Sequence, residues 1–163
     1  MQIDLEKLPH WIRVAFAARC ARRVQSLFAD AWREATPNRV AAVERAIELA
    51  ARSAAEHQAC DGLDEANREA VMVAGRALFP CYDMRGMGSD EPNPAGREAA
   101  VVASLAARVA AKAAESAATA PSSSAQPAMD AFHFAVDAIN AASRPGLVEF
   151  LEADFEALTD EMK

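Results

Sequence analysis

The sequence is poor in the residues that favour β-sheets and in the cysteines that form disulfide bonds. Among 163 residues there are two Trp, one Tyr and three Cys, and Val, Ile and Thr together number only 18. β-branched and aromatic residues favour strands, so their scarcity excludes a β-sandwich or barrel and disfavours a doubly wound α/β fold. Three scattered cysteines are typical of reduced thiols and exclude a disulfide scaffold.

Long hydrophobic runs are also missing. Residues 1–7 include Asp4 and Glu6, so the basic start of a signal peptide is absent. The longest alanine-rich stretch, 99–111, is interrupted by Arg108 and is shorter than the ~20 residues that a membrane helix needs. These features predict a cytoplasmic protein that does not contact a membrane.

The abundant residue is alanine, which occurs 41 times and is the best helix former. Apolar residues make up 52% of the chain and charged residues 25%, which is ordinary for a globular protein. The composition therefore excludes collagen-like and mostly disordered chains. The length predicts a single helical domain over residues 1–163.

Apolar residues recur at helical spacing in successive stretches of the chain. They predict helices over about 9–32, 37–56, 64–79, 95–120, 128–142 and from 143 onward. The fold class is therefore all-α, an antiparallel bundle of five to six alanine-rich helices. An irregular loop is predicted at 80–94 and a Pro/Ser turn at 121–127.

Residue types also predict helix caps and inner faces. Thr36 and Ser143 are the candidate N-caps of the second and sixth helices. Large apolar residues of each stretch are expected to face the core, among them Val71, Phe132 and Phe150. The first and last helices hold the largest side chains, so they are expected to supply most of the core's bulk.

Charge is unevenly distributed along the chain. The net charge is −7, with +2 over residues 1–60 and −9 over 61–163. Such acidity argues against nucleic-acid binding and favours a basic partner. Arg19, Arg22 and Arg23 cluster in the first helix. We interpret them as a solvated face that pairs with the protein's own acids, such as those of the last helix, although a patch for phosphate or an acidic partner is the alternative.

No motif indicates catalysis, and we expect no enzymatic activity, no cofactor and no metal. His57 and Cys60 are two potential zinc ligands, whereas a zinc site needs four, or three plus water. Cys81 follows a helix C-terminus, where the dipole does not favour a thiolate. If the chain were an enzyme, Cys81, His57 or Asp83 would be the candidates.

The order of several segments carries a family resemblance. FAARCARRVQSLF at 16–28 is followed by Pro37, by AAVERAIELAARSA at 41–54 and later by Gly-Arg-Glu-Ala-Ala at 96–100. Over about residues 10–118, this order resembles an all-helical family of immunity proteins from bacterial polymorphic toxin systems.

The resemblance implies binding without catalysis. Such a protein would bind a cognate toxin, often a basic nuclease, and block it sterically and electrostatically, with carboxylates occupying the groove that phosphates would use. The partner-binding residues implied in this way are acids of the 80–94 loop and of the last helix: Asp83, Asp90, Glu91, Glu149, Glu152, Asp154 and Glu156.

Two further functions remain as alternatives. The 80–94 loop could place Tyr82, Met84 and Met87 over a pocket for a small apolar ligand. Alternatively, alanine-rich faces could pack between subunits, which would make the chain a self-associating module. A neighbouring gene whose product is toxic in the absence of this protein would favour the immunity function.

Overall fold

The computed structural model describes residues 4–78, 94 and 96–160. Within these ranges the chain is helical without strands, which confirms the predicted all-α bundle. A short 3-10 turn at Leu5–Lys7 precedes α1 (His10–Ala31), α2 (Pro37–Glu56), α3 (Leu63–Leu78), α4 (Arg97–Ala118), α5 (Ala125–Ala141) and α6 (Gly146–Asp160). None of the described helices is both long and apolar enough to cross a membrane.

Helix α4 lies at the centre of the bundle, where it packs against α1, α2, α3 and α5. Twelve of its 22 residues are buried, and eight of those twelve are alanine. Small side chains let helix axes approach closely, which is how one helix can contact four others. The alanine that dominates the composition therefore forms the middle of the core.

The largest buried side chains come mainly from the first and last helices. Phe16 of α1 is fully buried, and its ring centroid lies 5.9 Å from that of Phe132 and 5.4 Å from that of Phe155. Helix α6 adds Leu151 and Leu158, both at most 2% exposed. These side chains fill the space between α1, α5 and α6, outside the alanine centre.

The predicted inner positions of Val71 in α3 and Phe150 in α6 are wrong. Val71 is 53% exposed and Phe150 is 51% exposed, whereas Phe132 of α5 is partly buried and packs against the core as predicted. The fully buried residues of α5 include its alanines at 128, 131, 135 and 138. The reason is that α3 and α5 turn their small residues toward α4, which pushes the larger side chains to the flanks.

The helix ends differ from the prediction in three places. Thr36 occupies the N-cap position of α2 as predicted, but its side chain makes no capping hydrogen bond. Ser143 has φ +53° and closes α5 instead of capping α6, since its N–H donates to Asn140 O and the next N–H donates to Ile139 O, both at 3.0 Å. This is a Schellman motif. Helix α5 also begins at Ala125, so the predicted Pro/Ser turn is shorter.

Candidate partner-binding surface

The outer face of α6 carries a line of carboxylates. Glu149, Glu152, Glu156 and Asp160 recur at intervals of three or four residues, so they share one side of the helix. The opposite side holds the buried Leu151, Phe155 and Leu158. We call these four acids the acidic ridge.

The ridge residues differ in exposure and partners. Glu149 and Glu156 are exposed, and Glu152 is partly buried. Within the described part of the chain, the carboxylates of Glu149 and Glu156 form no ion pair. Glu152 and Asp160 do have an interaction with another residue. The ridge thus offers at least two uncommitted carboxylates to a partner.

Asp154 has a structural role in addition to any contact with a partner. Arg23 Nε lies 2.9 Å from Asp154 Oδ2, and Arg23 Nη2 lies 3.0 Å from Oδ1. The side chain of Asp154 is only 14% exposed, whereas that of Arg23 is 42% exposed. This bidentate pair joins α6 to α1, as predicted for Arg23, whereas Arg22 Nη1 donates to Gln25 Oε1 of its own helix at 3.2 Å. Of the acids predicted in α6, Asp154 is therefore bound within the protein, and Glu152 also interacts with another residue.

Phe150 places an exposed aromatic ring beside the ridge. The ring is 51% exposed, and the guanidinium carbon of Arg23 lies 5.3 Å from its centroid. Exposed aromatic residues often become anchors at protein interfaces. Sequence reasoning missed this role because Phe150 was assigned to the core, and no periodicity signal distinguishes it from Leu151.

The other half of the predicted surface is not placed. Asp83, Asp90 and Glu91 lie outside the described residues, as do Cys81 and the proposed lid at 82–87. The structure therefore brings together only the α6 part of the predicted site.

The thiols and histidines that are described do not assemble a reactive site. Cys20 is fully buried, and its burial, followed by the negative charge of Asp154, raises the pKa of the thiol. A buried thiol of this kind is unreactive. His57 is exposed at the end of α2, and no group of three potential metal ligands occurs among the residues that the structure describes.

One polar contact resembles a catalytic pair but is enclosed. His10 Nδ1 lies 2.8 Å from Ser124 Oγ, and Arg13 Nη1 donates to the carbonyl of Pro121 at 3.0 Å. Ser124 is 0% exposed, so a substrate cannot reach its hydroxyl. Burial, followed by the charge of Arg13, lowers the pKa of His10. The contact fastens the start of α1 to the turn before α5, and its two halves are 114 residues apart, too far for sequence reasoning to pair them.

Comparison with known proteins adds no relative. No protein-family model matches the chain, and neither does any curated protein or solved structure.

Proposed function

We propose that the chain is a non-catalytic binding protein that docks a basic protein on α6 through the acidic ridge. The observation that carries this proposal is the direction of the ridge. The side chains of Glu149 and Glu156 are exposed and form no ion pair among the described residues, while the opposite face of α6 is buried. Outward carboxylates attract a basic partner, speed its approach and fix its orientation.

The resemblance of segments 16–28 and 41–54 supports a particular kind of partner, a toxin that this protein neutralises. A toxin that acts on nucleic acid presents Lys and Arg side chains where phosphates bind. The ridge offers carboxylates at the spacing of a helical face, and the net charge of −7 favours the same encounter. Inhibition then requires no reacting group in this chain, because the partner's groove is simply covered.

Two neighbouring features support α6 as the docking element. The Arg23–Asp154 pair holds the helix against α1 with two hydrogen bonds, 2.9 and 3.0 Å long, so the ridge is presented in a fixed orientation. Phe150 supplies an apolar contact at the edge of the ridge. Aromatic anchors are common at the centres of protein interfaces, and polar or charged residues are common at their rims.

The test is co-expression of this chain with the product of each neighbouring gene, scoring rescue of growth and formation of a complex. For a partner found in this way, the double variant Glu149→Lys/Glu156→Lys is expected to weaken binding by at least about tenfold. Removing two charge-assisted contacts accounts for such a loss. The affinity of the variant should also depend less on salt concentration.

The matched control is Glu48→Lys/Glu56→Lys. Both residues are exposed on α2, and the change in net charge is identical. Equal weakening of binding by both double variants would show that only the net charge of the protein matters. It would overturn the proposal that the partner docks on the acidic ridge. A complete failure of rescue and complex formation with every neighbour's product would overturn the immunity function.

A further inference from the structure

An apolar strip runs along the exposed side of α6 next to the acidic ridge. Its members are Phe150, Ala153 and Ala157, which follow one another at intervals of three and four residues and so lie in one line on the helix. Phe150 is 51% exposed, and both alanines are exposed. Ala153 lies four residues after Glu149 and three before Glu156, so the apolar strip borders the ridge directly.

The aromatic end of the apolar strip is held in a defined orientation. The guanidinium carbon of Arg23 lies 5.3 Å from the centroid of the Phe150 ring. Arg23 is itself fixed by two hydrogen bonds to Asp154, 2.9 and 3.0 Å long. One side of the ring therefore rests against a positioned group while about half of its surface is open to a partner. An anchor that is ordered before binding loses less entropy when the complex forms.

The two alanines leave room for a second helix. Small side chains at a contact let helix axes approach toward the lower end of the usual ~8–10 Å. A helix also presents its own apolar side chains at intervals of three and four residues, which is the spacing of the apolar strip. Helix-in-groove recognition depends on the same spacing of apolar anchors.

The charges beside the apolar strip specify what such a helix must carry. Glu149 and Glu156 are exposed, and within the described part of the chain they form no ion pair. They are seven residues apart, which places them about 10 Å apart along the helix axis. Lys or Arg residues one heptad apart on a neighbouring helix have the same separation, and such flanking charges set partner choice and orientation in paired helices.

We propose that the partner docks an amphipathic basic helix along α6. Its apolar side chains cover Phe150, Ala153 and Ala157, and its Lys or Arg residues, one heptad apart, pair with Glu149 and Glu156. This binding mode rests on the proposed function, because it specifies which element of the basic partner contacts α6.

Three synthetic peptides of about 21 residues, long enough to form several helical turns, test the binding mode. The first has Leu on one face in every heptad and Lys beside the Leu, with Ala and Gln elsewhere. The second has the same composition with Lys on the face opposite Leu, and the third has Gln in place of Leu. Binding of fluorescein-labelled peptide at nanomolar concentration is followed by anisotropy as the native protein is added.

The first peptide is expected to bind at least about tenfold more tightly than either of the others, since it alone makes apolar and charged contacts with α6 together. Equal binding of the first and second peptides would show that net charge alone attracts them. Equal binding of the first and third would show that the apolar strip contributes nothing. Either result would overturn the binding mode, as would no binding of the first peptide at protein concentrations up to ~1 mM.

Variants then locate the bound helix. Ala153→Gln/Ala157→Gln leaves the charge unchanged but adds two long side chains that keep a helix at a distance, so it should weaken binding of the first peptide by at least about tenfold. The matched control is Ala41→Gln/Ala118→Gln, at exposed alanines of α2 and α4, which should change binding less than about twofold. Thermal unfolding checks that both double variants remain folded. Equal affinities of the two double variants would overturn the binding mode.

The same variants separate this binding mode from the proposed function. For a partner found by co-expression, Glu149→Lys/Glu156→Lys could weaken the complex while Ala153→Gln/Ala157→Gln leaves it unchanged. The acidic ridge would then stand as the docking surface, and the helix on the apolar strip would be overturned. Patterned binding of the peptides without rescue by any neighbour's product would support the binding mode and overturn the immunity function.

Discussion

Helices α4 and α6 use their side chains in opposite ways. Helix α4 is surrounded by four other helices and buries eight alanines. Helix α6 packs mainly on α1 and less on α5, and it buries only Leu151, Phe155 and Leu158. The central helix therefore depends on small size, whereas the peripheral helix depends on a few large side chains. The exposed carboxylates of Glu149 and Glu156 therefore lie on a helix that packs against few of its neighbours.

The largest effect is expected from removing volume from α6. Phe155→Ala deletes a ring that is 9% exposed and lies edge-on to Phe16, and it should lower the free energy of unfolding by about 3 kcal/mol. Urea denaturation measures the loss. Phe150→Ala in the same helix is the control, and its effect should be about 0.5 kcal/mol or less because the ring is exposed. Equal losses would mean that α6 is not anchored by its buried face.

The converse change adds volume to α4. Ala110 is 0% exposed, so Ala110→Leu should force neighbouring helices apart and cost about 1–3 kcal/mol. Ala118→Leu, at an exposed position of the same helix, should be close to neutral. If Ala110→Leu were neutral or stabilising in urea denaturation, the alanine centre would contain unfilled space, and the contrast with α6 would disappear.

A smaller loss of stability is expected from removing the ion pair that joins α6 to α1. Asp154→Asn removes the bidentate partner of Arg23 and should cost about 1 kcal/mol or less, because Arg23 is partly exposed and screened by solvent. A more sensitive measurement is the hydrogen-exchange rate of the α6 backbone amides. That rate should rise when α6 detaches locally. An unchanged rate would show that apolar packing alone fixes the helix.

The smallest effect concerns the contact between His10 and Ser124 near the start of α5. The pKa of His10 is lowered below its ordinary value of 6.5, so the unfolded chain binds a proton more readily than the folded one. Stability should therefore be complete above about pH 6.5 and should decrease as the pH falls through the folded pKa. Comparing denaturation of the native protein and His10→Gln between pH 7.5 and 5 checks this, because the variant should show a weaker decrease. A parallel pH dependence would assign the effect to other groups.

The sequence predicts the helices of this protein better than it predicts which large apolar side chains are buried. The six helices follow from alanine content and from periodic apolar residues, and the pairing of an α1 arginine, Arg23, with an acid of the last helix was also predicted. Phe150 and Val71 were assigned to the core and are exposed. Periodicity identifies a stripe of apolar residues but does not specify which edge of that stripe faces the neighbouring helix. The contact between His10 and Ser124 was missed because its two halves are 114 residues apart.

The helical, acidic character of this protein and its small number of large side chains can be deduced from the chain alone, because helix propensity and charge are properties of single residues and their neighbours in the chain. The packing of the helices determines that α4 is the centre and that Asp154 is bound by Arg23, while Glu149 and Glu156 are exposed. These features depend on how closely helix axes approach one another. That distance is set by all the packed faces together, so it cannot be deduced from one helix at a time.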